Sequence, residues 1–205
     1  MGTSTTYPNG QTLVSDALTK DQINALIQTL TCGMLGINPP DPFQVRVDWP
    51  IEGQPAQNNQ TDVCYIRCTT KDNPYSRIRD RVLTQAGTGK SAVLTENWFY
   101  TRVWQIAWTF YGPNSTDRAR MVWDAMFMDY FADELAAENL FPVPDMPEPI
   151  RVPENFNAQW WERADFEVEM YEGISETIND GIATSVQVTV EGDQGQLAQF
   201  TVSES

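Results

Sequence analysis

The chain has 205 residues, with 28 acidic and 13 basic side chains, a net charge of -15 and no histidine. That length suits one domain with a sizeable core, and the missing imidazoles exclude Ser-His and Cys-His nucleophile pairs and histidine-based metal sites. The charge is uneven: residues 1–125 hold 11 acidic and 11 basic side chains and residues 126–205 hold 17 and 2, a surface that repels nucleic acid rather than gripping it.

Residues 1–11 are polar with glycine and proline, and are expected to form a flexible N-terminal arm. Thr19 and Gln22 then fit a capping box, and Ile23, Leu26, Ile27, Leu30 and Met34 share one helical face. Gly36 and the pair Pro39-Pro40 stop that helix. "FQVRVDW" alternates, with Phe43, Val45, Val47 and Trp49 on one side of a half-buried strand, and "PIEGQPAQNNQT" is a loop.

Four strands are expected next: "DVCYIRCTT", "SRIRDRVLTQ", "SAVLTENWFY" and "TRVWQIAWTFYG". The last places Trp104, Ile106, Trp108 and Phe110 on the core face. The second carries Arg77, Arg79 and Arg81 as a period-2 basic stripe. Between the second and third lies "AGTGKSA", whose Gly89-Lys90-Ser91 matches the end of a phosphate loop. Thr84 stands where that motif needs its first glycine, and strand rather than helix follows, so the spacing predicts a hairpin turn and no nucleotide site.

"GPNSTDRARMVWDAMFMDYFADELAAENL" reads as one long helix with Asn114 as its cap, Asp117 in its first turn, and Ala119, Val122, Trp123, Met126, Phe127 and Tyr130 at helical spacing. Met121, Met126 and Met128 are expected in the core or at subunit contacts. The proline-rich "FPVPDMPEPIRVP" is extended and unfit for a central strand. "QWWERADFEVEMYEG" alternates, with Ala164, Phe166, Val168 and Met170 inward and Arg163, Asp165, Glu167 and Glu169 outward. "TSVQVTVEG" is a strand, and "DQGQLAQFTVSES" is either a short strand or a tail that docks on a neighbour through Leu197, Phe200 and Val202.

The fold expected is α+β: a mostly antiparallel sheet with a long helix and an N-terminal helix packed on it, and extended arms. Residues 12–191 form its single domain and residues 192–205 a C-terminal tail. Cys32, Cys64 and Cys68 have no zinc spacing. Cys64 and Cys68 would lie about 13 Å apart along one strand, too far for a disulfide, and are read as small hydrophobes in a reducing compartment. No apolar run approaches the roughly 20 residues of a membrane span, and the opening lacks signal-peptide character, so a soluble protein made in a cytoplasm is expected.

Two stretches are more specific. "WQIAWTFYGPNSTDRARMVWDAM" passes from a tryptophan-bearing strand through Tyr111-Gly112 directly into a helix, and "NFNAQWWERADFEVEMYEG" sets an aromatic lead before Arg163, Asp165 and an alternating strand. In this order they resemble the neck or tail terminator proteins of tailed bacteriophages, over residues 20–190. The resemblance implies a compact α+β subunit assembled as a homo-oligomeric ring, a hexamer, in the virion neck. That ring caps the tail tube, joins it to the head-tail connector, and lets DNA pass without specific binding. The hairpin at 84–92, the proline segment and the C-terminal tail depart from the family, so their contacts are not carried over.

Two other function classes are legible. Asp165, Glu167 and Glu169 offer paired carboxylates on a strand near tryptophans, the pattern of a carbohydrate hydrolase whose retaining chemistry needs about 5–5.5 Å between acids. An aromatic groove could use Trp98, Trp104, Trp108, Trp160 and Trp161, although Trp104 and Trp108 also read as core. Trp160 and Trp161 straddle a sheet edge so that only one is buried, and an exposed Trp161 reads as a subunit contact. In a ring, the Arg77, Arg79 and Arg81 stripe complements the Arg163–Glu169 strand of the next subunit. No catalytic residue, cofactor or metal is expected.

Overall fold

The computed structural model describes residues 3–8, 11–48, 58–87, 93–156, 158–181, 185–192 and 195–203. The first elements are β1 (Thr3–Thr6), β2 (Thr12–Ser15), α1 (Lys20–Met34), β3 (Val45–Val47) and β4 (Val63–Lys71). A single 3₁₀ turn, Pro74–Arg77, leads to β5 (Asp80–Ala86) and β6 (Val93–Tyr111). Next come α2 (Ser115–Ala125), α3 (Asp129–Ala137), β7 (Leu140–Pro142), β8 (Ile150–Arg151), β9 (Glu154–Phe156) and β10 (Gln159–Trp161). The chain closes with β11 (Arg163–Gly181), β12 (Ser185–Gly192) and β13 (Gly195–Ser203). The architecture is α+β, with a mostly antiparallel sheet and three α-helices among the described residues.

The chain divides into two compact units. The larger comprises Ala17–Ile78 and Tyr100–Ile174, the smaller Met1–Asp16, Arg79–Phe99 and Ser175–Ser205. In the larger unit the strand order is β3, β4, β6, β11, with β7 and β8 also pairing with β11, and β3 running parallel to β4. β9 and β10 form a separate hairpin. Period-2 alternation decides which face is buried. Cys64, Ile66 and Cys68 of β4 are buried, and so are Trp104, Ile106, Trp108 and Phe110 of β6 and Ala164, Phe166, Val168 and Met170 of β11, the last two sets as their spacing predicts. Trp108 stacks on Phe166 at 4.9 Å between ring centroids, and its indole N–H donates to Thr31 Oγ1 at 3.0 Å, which ties α1 to the sheet.

α1 follows from its local chemistry. Thr19 Oγ1 accepts from the Gln22 backbone N–H while the Gln22 side chain accepts from the Thr19 N–H, so the expected capping box is present. Ile23, Ile27, Leu30 and Met34 are buried, with Leu26 packed at the margin. Gly36 ends the helix at φ +69, where Ile37 N–H reaches Cys32 O at 2.8 Å and Gly36 N–H reaches Gly33 O at 3.0 Å; those two bonds make a Schellman stop that only glycine adopts without strain.

The long helix expected over residues 114–140 is two helices, α2 and α3, broken at Met126–Met128. The face that buries Ala119, Val122 and Met126 would next bring Asp129 and Asp133 into the core, at the cost of desolvating both carboxylates. The break instead turns Leu135 inward and sets Phe131 3.6 Å from where a Cβ on Gly33 of α1 would lie. Phe127 and Tyr130 are exposed rather than packed on the sheet, and so are Met121 and Met128, whereas Met126 is core. Asn114 precedes α2 without capping it: its amide donates to Asp62 Oδ2 at 2.8 Å, and Asp62 Oδ1 accepts from the Asn114 backbone N–H at 3.0 Å. Gly112, at φ +111, permits that approach, since a Cβ there would fall 2.5 Å from the Asp62 carboxylate.

"SAVLTENWFY" and "TRVWQIAWTFY" form one strand, β6, because no turn residue stands between Tyr100 and Thr101. In the half-buried strand expected over residues 43–49, Phe43 sits in a turn and is 67% exposed, Val45 and Val47 belong to β3, and Trp49 lies outside the described residues. Among the described residues, the proline segment meets β11 through the short β7 and β8 and the backbone bonds Val143 N–H to Glu169 O and Val152 N–H to Arg163 O.

In the smaller unit the order is β1, β2, β11, β6, β5, all shown pairs being antiparallel. β5 and β6 are the two arms of the hairpin expected around the glycine-rich stretch. Its tip, 88–92, lies outside the described residues, and a strand, not a helix, follows it. Residues 195–203 are β13, paired antiparallel with β12 in a two-stranded sheet.

Candidate functional site

In the larger unit the sheet residues opposite the core positions carry a lattice of charges. β4 supplies Tyr65, Arg67 and Lys71, β6 supplies Gln105 and Tyr111, β3 supplies Arg46, and β11 supplies Arg163, Asp165, Glu167 and Glu169. Lys71 pairs with Glu169, and Gln105 donates to Glu167. Arg163 binds Asp165 with two parallel bonds, of 2.9 and 2.7 Å, and Glu154 at 2.8 Å, while its guanidinium lies 5.6 Å from the Tyr111 ring centroid. The Asp165 hydrogen bonds foremost, opposed by partial burial and aided by Glu154, raise the Arg163 pKa further above its ordinary value. Burial pushes the Tyr111 hydroxyl up to about 12, against the pull of Arg163. Burial also raises Asp48, which Arg67 approaches at 3.9 Å. Four cations, Arg46, Arg67, Lys71 and Arg163, thus stand against five carboxylates, Asp48, Glu154, Asp165, Glu167 and Glu169.

A depression of about 380 Å³ opens on this face between Lys71, Gln105, Asp145, Glu167 and Glu169. Each carboxylate of the imagined hydrolase has a partner within the chain: Asp165 takes Arg163, Glu167 takes Gln105 and Glu169 takes Lys71. That arrangement holds charge in place. Among the described residues no three His, Cys, Asp or Glu side chains converge as a metal set.

The basic stripe is not one strand. Arg77 ends the 3₁₀ turn and pairs with Asp72, Arg79 lies in an exposed connection, and Arg81 on β5 pairs with Glu96. Asn73 causes the difference: its side chain accepts from the Tyr75 N–H at 3.0 Å and starts a turn at Pro74. The Trp98 indole first and Arg81 after it hold Glu96 below the ordinary carboxylate range. Of the tryptophan pair, Trp160 is the exposed member, at 69%. Trp161 is half-buried, edge-on to Tyr111 at 6.3 Å, so the expected exposed contact moves by one residue. Trp104 and Trp108 are core, which removes them from any groove. Leu197, Phe200 and Val202 lie on β13, and their side chains fall outside the described residues.

One cluster escaped the reading of the sequence. Glu172 of β11 is 1% exposed and accepts from the Leu18 backbone N–H at 2.7 Å, Arg102 Nε at 2.7 Å and the Trp104 indole at 2.6 Å. Arg102 Nη2 also donates to Leu18 O at 2.6 Å, and the guanidinium lies 4.7 Å from the Trp104 ring centroid. The segment leading into α1 is thereby latched to the sheet by an ion pair whose carboxylate is buried and whose guanidinium is half-buried. Its signal is parity: residues 164, 166, 168 and 170 point inward, and the next inward position is an acid.

Comparison with known proteins adds the family. No curated protein matches the chain. A family model described as phage neck terminator protein matches residues 21–194, from the second residue of α1 to just beyond β12. The family is one of structural phage proteins of the virion rather than a class of enzyme. With most of its length inside that match, the chain belongs to the phage neck terminator proteins and has a structural role in the phage neck and tail.

Proposed function

We propose that copies of this chain assemble into a ring, a hexamer, that caps the tail tube and seats it on the head-tail connector while DNA passes through its opening. The observation that carries this reading is the family match over residues 21–194. The charge distribution supports the passage of DNA. No basic residue stands between Arg120 and Arg151, whereas Asp129, Asp133, Glu134, Glu138, Asp145 and Glu148 are exposed there. A wall of such carboxylates denies phosphate the contacts that build affinity. The Arg163–Glu169 strand, matched in the chain by Lys71 and Arg163, is less suited to that role than α3.

The contact proposed between Arg77, Arg79 and Arg81 of one subunit and Asp165, Glu167 and Glu169 of the next requires exchange of the in-chain partners. It therefore tunes the ring rather than holding it together, in keeping with the small worth of exposed ion pairs. The native mass of the purified protein, measured at low and high salt, tests the reading. A multiple of the subunit mass that persists in high salt is expected. A single-subunit mass in both conditions, together with infectious particles from phage lacking the protein, sinks it.

A further inference from the structure

We propose that the two end strands of the smaller unit's sheet pair across copies of the chain, with β1 of one subunit lying parallel beside β5 of the next. This rests on the ring reading and assigns its subunit contact. Among the described residues β5 pairs only with β6 and β1 only with β2, so each presents an outer edge of backbone donors and acceptors. All seven side chains of β5 and all four of β1 are exposed.

Sheet edges that stay single usually carry proline, lysine or a bulge. β5 reads Asp-Arg-Val-Leu-Thr-Gln-Ala, with an unbroken register against β6, and exposes Val82 by 51% and Leu83 by 60%. Its one basic residue, Arg81, is turned to Glu96 of its own hairpin. β1 reads Thr-Ser-Thr-Thr, all strand-compatible and none charged. For a subunit of charge -15, β1 carries no carboxylate and β5 only Asp80, at its first position beside Arg81, so a second copy can approach these edges with little added repulsion.

Strand direction selects the geometry. β1 is antiparallel to β2, β2 to β11 and β6 to β5. Thr177 bonds Asn97 and Glu167 bonds Gln105, so β11 numbers fall as β6 numbers rise and that pair is antiparallel too. Four reversals leave β1 and β5 pointing the same way. Rotation about an axis along the strands then sets β1 of one copy parallel to β5 of another. A contact between two different edges repeats from copy to copy and closes a ring, whereas β5 on β5 stops at a dimer.

Cysteine crosslinking tests this. Neighbouring strands lie about 4.8 Å apart, inside the Cα separation a disulfide needs, and the native Cys32, Cys64 and Cys68 are buried. Ser4→Cys and Thr5→Cys in β1 cover both faces, as do Val82→Cys and Leu83→Cys in β5, and all four sites are exposed. Oxidising a mixture of a β1 variant with a β5 variant is expected to give covalent dimers that neither gives alone, and a chain carrying both cysteines should give a ladder ending at the ring mass. A ring-sized native mass with no such dimer from any combination overturns the edge pairing and leaves the ring. Dimers from a β5 variant alone overturn it in favour of an isologous contact. A single-subunit native mass overturns the ring and the pairing with it.

Discussion

Glu172 shows how much one side chain fixes. Its carboxylate holds the Leu18 backbone, Arg102 and Trp104 at once, so removing it leaves a part-buried guanidinium without its counter-charge and the buried Trp104 indole without its acceptor. Glu172→Ala is expected to lower the unfolding free energy by about 3–5 kcal/mol in urea titration. Adding Arg102→Met should cost less than the sum of the single changes, because the orphaned charge is gone. The buried thiols give a second test at this scale. Burial pushes the Cys68 thiol up to about 12 and raises Cys32 and Cys64 too. Above about pH 9 the unfolded chain releases protons that the folded chain keeps, so stability falls as pH rises, by about 1.4 kcal/mol per pH unit for each such thiol. For Cys68 the window runs from about 9 to about 12. Urea midpoints at rising alkaline pH should show that slope, and Cys68→Val should flatten it by one thiol's worth.

Elements were legible where local chemistry decides them. The capping box of α1 is written in Thr19 and Gln22 and is present as read, so Thr19→Ala should cost about 1 kcal/mol, seen as a lower thermal midpoint. Alternation was equally readable in β6 and β11, because one-sided burial leaves a period of two. The α2–α3 break was not, since the apolar spacing runs on through Phe127 and Tyr130 and only the core's refusal of Asp129 and Asp133 ends it. The arginine stripe loses its first member because the turn that Asn73-Pro74 starts runs on through Arg77, inside the stretch that alternation alone reads as strand. Trp160 and Trp161 were rightly split between water and protein but in the wrong order: pairing in the β9–β10 hairpin sets Trp160 opposite Asn155, and packing on Tyr111 claims Trp161. Glu172 stayed hidden because the inward run was followed only as far as Met170.

At the scale of the whole molecule, six copies would bring together about -90 formal charges, so the proposed ring would need contacts that charge does not oppose. Deleting residues 193–205 removes β13, which belongs to the smaller unit. The larger unit's unfolding free energy in urea should stay within about 0.5 kcal/mol of its value in the full chain, leaving its midpoint nearly unmoved, while ring formation or attachment to the tail weakens. A large fall in that midpoint instead makes the hairpin part of the core. The latch at Glu172 also sets a schedule for synthesis. Leu18 and Glu172 are 154 residues apart, and closing so long a loop costs about 4 kcal/mol of chain entropy before any bond forms. On a ribosome adding about 5–20 residues each second, the lead into α1 waits roughly 8–30 s for its partner to be made. During that interval β3 and β4, which pack on α1, are already made, so the helix can dock while its lead stays unfastened until the last strands emerge.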